Sequence, residues 1–567
     1  MADMPKTVPE LLKSGWETYE PIYRELFTRP LDARNLGQWM ADWSRVFEKV
    51  DELYWRLYVE HTCHTADEAI DKQYNHFLEE IFPKFRAADQ KLKEKLLASK
   101  LEPRGFDIPL RNIRAEADLF REENIPLLTE EEQTFANYEK IEGSQSVHWE
   151  GKELTISQMR PLYQATDRSM REKAWRLVMT RQLSDRDAIN QNWEKLLAIR
   201  MKIAKNANKP DYRAWRWQFM LRFDYTPEDA KHFGEAIEEA VVPAARRIYE
   251  KRRKALGLQT LRPWDLDVDP MNREPLRPFK DVEELKQTTS HIFHNVDPLL
   301  GGYFDEMVQG NMLDLDNRKN KAPGAYCLDY KSVRKPFIFH NAVGVHDDVL
   351  TMLHEGGHAM HVFETAALPY YQQLNVPMEF AEVASMSMEQ LGSPYLEKSK
   401  GGFYIPADAA RSRVEHLESN ILFWPYMAVV DGFQHWVYEN PGKATDPAEC
   451  DRTWGKLWDR FMVVVDWGGL EEEKNTGWHR KLHIHGQPFY YIEYGLAQLG
   501  ATQIWAIALR DQAKAVAGYR KALSLGGTAT LPDLYKAAGV KLAFDAETFS
   551  KMISLMEQKI AEHEKVK

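Results

Sequence analysis

Leu353-His354-Glu355-Gly356-Gly357-His358-Ala359-Met360-His361 is the stretch on which the reading of this chain turns. In a helix, residues four apart share a face, so His354 and His358 can grip one metal ion while Glu355 stands beside it. Val349, Leu350 and Leu353 supply a buried stripe for that helix, and Asp347 or Asp348 can cap its start. The spacing suits a hydrolytic metal centre in which the glutamate handles a proton of water. Taken alone, the letters also fit two surface histidines on an ordinary amphipathic helix. The surroundings decide.

A catalytic zinc usually takes three protein ligands, and the next acid-rich segment offers the third. From Met378 to Glu389, the carboxylates Glu379, Glu382 and Glu389 fall near one helical face between small and apolar residues. Buried carboxylates are expensive unless they hold a metal, a cation or hydrogen-bond donors. Spacing leaves Glu379 and Glu382 both open, with Glu382 modestly ahead. Gly356 and Gly357 each cost about 1 kcal/mol of helix propensity relative to alanine. They imply either close approach by another backbone, from substrate or from the glutamate helix, or tight helix packing without a chemical role. His361 reads as a packing residue beside the ligands and Cys327 as core filling.

The predicted strands are few and lie just upstream, at Ala325–Tyr330 and Pro336–His340, joined by Lys331-Ser332-Val333-Arg334. An exposed strand edge there could hold an extended peptide through main-chain hydrogen bonds. Downstream, residues 482–495 bring Tyr491 and Tyr494 to one helical face and Tyr490 and Tyr494 to another. Hydroxyl or imidazole donors there could face a developing oxyanion, although tyrosines in a helical protein are often core residues.

At 567 residues the chain is too long for one average core, so two helical lobes are expected. The net charge of -11 argues against a nucleic-acid partner. Three scattered cysteines give no disulfide framework, no opening run resembles a signal peptide, and no apolar stretch is long enough to span a membrane. A soluble, cytoplasmic protein is expected, with its oligomeric state open. Most of the chain reads as helix. Thr226-Pro227-Glu228-Asp229 opens one that should run to Leu256-Gly257, before an irregular Arg262–Pro278 piece.

With these residues in view, the chain resembles the thimet oligopeptidase and oligoendopeptidase F family of zinc metallopeptidases, family M3, over about its last two-thirds. His354 to His361 matches that family's H-E-x-G-H-x-x-H, and Phe380, Glu382 and Ser385 match its F-x-E-x-x-S. Similar too are Lys321 to Tyr326, Phe337 to Asn341, Asp431 to Trp436 and Leu525-Gly526-Gly527. The resemblance implies one Zn²⁺ per chain held by His354, His358 and Glu382, with Glu355 as general base and Glu389 orienting a ligand histidine. It implies substrate contacts at Gly324, Ala325 and Tyr326. His483, Tyr491 and Tyr494 would stabilise the tetrahedral intermediate, with His485 and Tyr490 as substitutes.

The fold it implies is mainly α, with two helical lobes around a deep substrate channel and a small β-sheet beside a thermolysin-like HExxH helix. Residues 1–204 would form the N-terminal lobe and 205–567 the catalytic region. The implied activity is cleavage of internal bonds in short unstructured peptides. A carboxypeptidase or dipeptidyl carboxypeptidase is the nearest rival and would need a cation such as Arg334 for the substrate's C-terminus. A catalytically silent peptide binder or a helical scaffold stands further off.

Overall fold

The computed structural model describes residues 4–566. It is mainly helical, and two small sheets interrupt the helices. The first is a hairpin of β1 (Ser146–Trp149) and β2 (Lys152–Thr155), in a region expected to be helical. Glu150 and Gly151 turn the chain there, both at positive φ (49° and 80°), as a tight hairpin requires. The second has three strands rather than the expected two: β3 (Leu313–Asp316), β4 (Tyr326–Tyr330) and β5 (Lys335–Ala342). Its order is β3-β5-β4, with β3 parallel and β4 antiparallel to the central β5, so β4 is an edge.

The helix expected from Thr226 to Leu256 is two helices, Pro227–Ala240 and Val242–Ala255. Pro243 in the first turn of the second cannot donate to the preceding turn, and its ring collides with the carbonyl four residues back. The Thr226 cap itself forms, with its side chain accepting from the Asp229 amide at 3.1 Å.

Two large cores and three smaller buried clusters organise the described residues. One large core is built from the first hundred or so residues, with Trp39, Trp43 and Leu96 fully buried. The other spans helices from Leu119 onward and includes Trp193, Phe293, Met388 and Trp424. Tyr371, on the connection between the two helices that matter most here, plugs into the first core. Its ring stacks on Phe47 at 3.5 Å and its hydroxyl donates to Asp89 at 3.0 Å. The sheet is fixed to the same N-terminal core through the helix Leu36–Cys63. Lys331 meets Asp51 at 3.0 Å, Arg334 meets Glu48 at 2.8 Å, and the Tyr326 and Thr62 hydroxyls bond at 2.7 Å.

Gly526 and Gly527 serve a close backbone approach. A Cβ at either would meet the Gln373 or Asn375 carbonyl at 2.7 and 2.2 Å. Among the described residues, no helix is long and apolar enough to cross a membrane.

Candidate metal centre

The histidine helix, His346–Thr365, follows directly from β5. Its start is capped by Asp348 from three positions inside, the carboxylate accepting from the Val343, Gly344 and Val345 amides at 2.8–2.9 Å. The negative charge also suits the helix N-terminus. His354 and His358 then stand on one face with ring centroids 5.0 Å apart.

The glutamate helix, Met378–Gly392, crosses against them. Glu382 Oε2 lies 3.4 Å from His354 Nε2 and 3.8 Å from His358 Nε2. The three ligand atoms all fall within 4.8 Å of one another, a donor set of two imidazoles and one carboxylate suited to zinc. The spacing depends on Gly357, where a Cβ would meet the Ala384 carbonyl and Ser385 Cα at 2.5 Å. Gly357 therefore admits the glutamate helix backbone. Gly356 instead admits the Phe293 ring, whose Cζ would be 2.4 Å from a Cβ.

A second ring of groups orients the first. Glu389 accepts from His354 Nδ1 at 2.7 Å and reaches His416 Nε2, on the long helix Pro406–Glu439, at 2.8 Å. The first contact fixes the tautomer that turns His354 Nε2 toward His358 and Glu382. The Ser385 hydroxyl donates to Glu382 Oε2 at 3.0 Å. Burial opposes charge on Glu389, but its bonds to His354 and His416 prevail and hold it at about 2. Burial likewise opposes charge on His354, yet the carboxylates of Glu382 and Glu389 raise its pKa well above the ordinary value. His358 has no such carboxylate bond, and burial lowers it to about 4.

Glu355 is buried, and desolvation lifts its carboxyl to about 7 even though the His354 charge and the Cys327 backbone pull the other way. A carboxylate poised near neutrality can take up and return a proton. The Cys327 contact also puts the edge strand β4 beside this carboxylate. Gly324, at φ 98°, and Ala325 lead into that edge, while the Tyr326 ring turns away onto Phe339 at 4.7 Å.

Glu379, the alternative third ligand, is occupied elsewhere. Tyr225 donates to it at 2.7 Å and the Arg222 guanidinium lies 3.6 Å away. His361 is buried against Phe380 and is outside the ligand set.

The tyrosine helix, Tyr491–Ala508, packs on the glutamate helix. The His483 ring sits among Tyr490, Tyr491 and Tyr494, at centroid distances of 6.1, 4.9 and 6.2 Å. Burial comes first in raising the phenol pKa values of Tyr490 and Tyr494, and both also feel the Glu382 charge. The Tyr491 ring also packs on Phe423 and Tyr426. The Tyr494 ring lies 5.2 Å from that of Tyr490 and 5.8 Å from that of Tyr491, so all three tyrosines gather around His483. The expectation for His485 is corrected. That residue has no exposed surface and stacks on Tyr138 at 4.0 Å between Trp193 and Trp478, out of reach of any substrate.

Sequence reasoning missed the groups that hold this second half. Arg216 donates to the Pro488 carbonyl at 3.1 Å, and Arg200 donates to the Ile484 carbonyl at 3.2 Å and to that of His485. Arg222 donates to the Phe489 carbonyl and to Glu493 at 2.7 Å. Phe489 itself has φ 64° and is buried, with its amide held by Gln434 at 2.6 Å. A left-handed phenylalanine costs about 1 kcal/mol or more and persists because these contacts over-determine it. The resulting turn leads into the tyrosine helix. A cavity of about 920 Å³ also opens at the start of the histidine helix, bounded by Val345, His346, Asp347 and residues 267–276.

The sequence profile described as "Peptidase family M3" matches residues 162–553, and that of the "Peptidase M3 N-terminal domain" matches residues 13–104. Oligoendopeptidase F (plasmid) of Lactococcus lactis subsp. cremoris is 21% identical over 503 residues, covering 87% of this chain and 77% of the relative. Oligopeptidase PepF of Bacillus subtilis is 23% identical over 337 residues, covering 57% of this chain and 47% of the relative. Among solved structures, PZ peptidase A with inhibitor 2 superposes with a TM-score of 0.85 at 25% identity, covering 99% of this chain and 98% of that one. Oligoendopeptidase-F of Enterococcus faecium shares the fold, with a TM-score of 0.63 at 16% identity over 97% of this chain and 98% of that one. The chain belongs to peptidase family M3.

Proposed function

We propose that this M3 peptidase is a zinc-dependent oligoendopeptidase that cuts internal bonds of short, unstructured peptides. The observation that carries the reading is the convergence of His354, His358 and Glu382 beside the buried Glu355 carboxyl. His354, His358 and Glu382 would hold one Zn²⁺, with Glu389 and His416 steadying His354. When bound, the ion supplies a Lewis acid for the scissile carbonyl and lowers the pKa of water.

The chain's own groups do the rest. The edge of β4, from Gly324 through Tyr326, takes the extended peptide by its main chain. Glu355 accepts a proton from the attacking water and passes it to the departing amine. Tyr490 and Tyr494, with His483 beside them, donate hydrogen bonds to the carbonyl oxygen as negative charge gathers on it. Residues 1–204 serve as the lobe that faces the catalytic region 205–567 across a channel too narrow for folded proteins. Action in the cytoplasm is part of the same proposal, supported by three cysteines that form no disulfide.

The carboxypeptidase rival loses its candidate cation. Arg334 already serves Glu48 and the Lys331 and Leu368 carbonyls. The deciding experiment is mass spectrometry of products from a mixed set of short peptides, comparing zinc-loaded, chelator-stripped and Glu355→Gln protein. Internal fragments made only by the zinc-loaded wild type are expected. Ladders of one or two residues from the C-terminus would move the reading to a carboxypeptidase. No product from zinc-loaded protein would sink the peptidase mechanism for this chain.

A further inference from the structure

Buried and half-buried cations in this structure generally sit on oxygen. Lys331 has Asp51 and Asp329, Lys321 has Asp314, Arg200 has Glu131, and Arg222 has Glu493. Lys481 is different. Its ammonium lies 3.6 Å from the centroid of the Tyr491 ring and 5.2 Å from that of Tyr426. Among the described residues it has neither a salt bridge nor a side-chain hydrogen bond. The neighbouring Arg480 takes the local oxygens, donating to Thr476 Oγ1 at 3.3 Å and to the Glu473 carbonyl at 2.6 Å.

The two ring faces return part of the hydration that Lys481 gives up. They leave the ammonium without the acceptor that a desolvated cation favours. Desolvation alone lowers its pKa to about 8, so it stays mostly charged at neutral pH. The Tyr426 and Tyr491 hydroxyls also have no hydrogen bond to the protein among the described residues and can donate. Lys481 is close enough to His483 for its charge to add to the burial that lowers the imidazole pKa to about 4. His483 in turn lies beside Tyr490 and Tyr494, whose phenols feel the Glu382 charge. A cation lacking an acceptor, framed by aromatic faces, therefore stands beside the residues proposed to contact the scissile carbonyl.

We propose that Lys481, framed by Tyr426 and Tyr491 beside His483, is a subsite for a carboxylate of the bound peptide. The carboxylate comes either from the peptide's C-terminus or from an acidic side chain. The proposal rests on the peptidase reading and adds to it a chemical preference of the substrate.

The test measures binding as well as cleavage. Three otherwise identical peptides carry a free C-terminus, an amidated C-terminus, or an amidated C-terminus with one Asp or Glu walked along the sequence. Their affinities are read on Glu355→Gln protein by calorimetry, and their kcat/KM on the wild type. In the Glu355→Gln background, one carboxylate source is expected to bind about tenfold tighter than its neutral match. Adding Lys481→Met or Lys481→Gln should bring that ratio near one, whereas Lys481→Arg should keep most of it.

The terminal-amide pair and the walked-acid set tell the two sources apart. Equal affinities for all three peptides, or a preference untouched by both neutral variants, would overturn the proposal. Folding of each variant is checked by circular dichroism, and a neutral variant that misfolds leaves the other to decide. Loss of cleavage with the binding ratios intact would count against the peptidase reading and not against Lys481.

Discussion

His354 and His358 reach their places by the helical repeat alone, while His483, Tyr490 and Tyr494 arrive on a turn held by arginines from far earlier in the chain. The first half of the site uses two helices in backbone contact at Gly357, and its partners Glu382 and Glu389 follow within one further helix. The second half hangs on carbonyl oxygens at 484, 485, 488 and 489, each taken by Arg200, Arg216 or Arg222. A half built from periodicity tolerates change elsewhere in the protein. A half built from long-range hydrogen bonds moves when a distant residue moves. Arg222 joins the two, because it touches both Glu379 on the glutamate helix and Glu493 on the tyrosine helix.

The largest expected effect breaks the first half chemically while leaving it standing. Glu355→Gln should lower kcat by roughly 10³-fold or more with metal content unchanged, read by steady-state kinetics and elemental analysis. Metal loss on that change would make Glu355 a ligand and not the base. The second half should show two faces. Tyr490→Phe and Tyr494→Phe are each expected to cost about 10²-fold in kcat, against less than about threefold for Tyr491→Phe. Equal losses at 490 and 491 would erase that distinction.

Arg222→Met sharpens the comparison further. A drop of about tenfold in kcat at constant KM and metal content is expected, with partial rescue by Arg222→Lys. Simultaneous loss of metal would mean that the halves form one mechanical unit.

The smallest effect is on stability. Burial first, and then the Glu379 charge, push Glu493 up to about 8 against the pull of Arg222. The folded state then holds a proton that the unfolded chain gives up near the ordinary carboxylate range. Stability from this group is present at low pH and is lost as pH rises toward 8. Between about pH 5 and about pH 8.5, the melting temperature of the wild type should fall more than that of Glu493→Gln. Parallel slopes would remove Glu493 as a titrating group.

The same division explains what could be read in the sequence. The zinc-motif residues and Glu382 were legible because each lies on one strongly patterned helix, and the family motif chose Glu382 where spacing alone left Glu379 in play. The choice among Tyr490, Tyr491 and Tyr494 was not legible, because all three rings gather around His483. The break at Val241 was also signalled, by Pro243 inside an otherwise helical run.

His485 could not be placed that way. Two positions from His483, it turns into a core whose partners Tyr138 and Trp193 lie hundreds of residues upstream. Arg222 had no local mark at all, and neither did His416, since each acquires its role only when remote helices meet. β3 alternates as a half-buried strand should, but at four residues the pattern is too short to stand out.

Arg200 has a consequence for the order in which the molecule is made. The proposed ligands His354, His358 and Glu382, and Glu389, which steadies His354, all precede the loop that Arg200 holds by roughly ninety residues or more. At a synthesis rate of about 5–20 residues per second, that loop is made several seconds or more after the proposed ligands. The turn that leads into Tyr490 and Tyr494 therefore closes late, on an arginine laid down long before it.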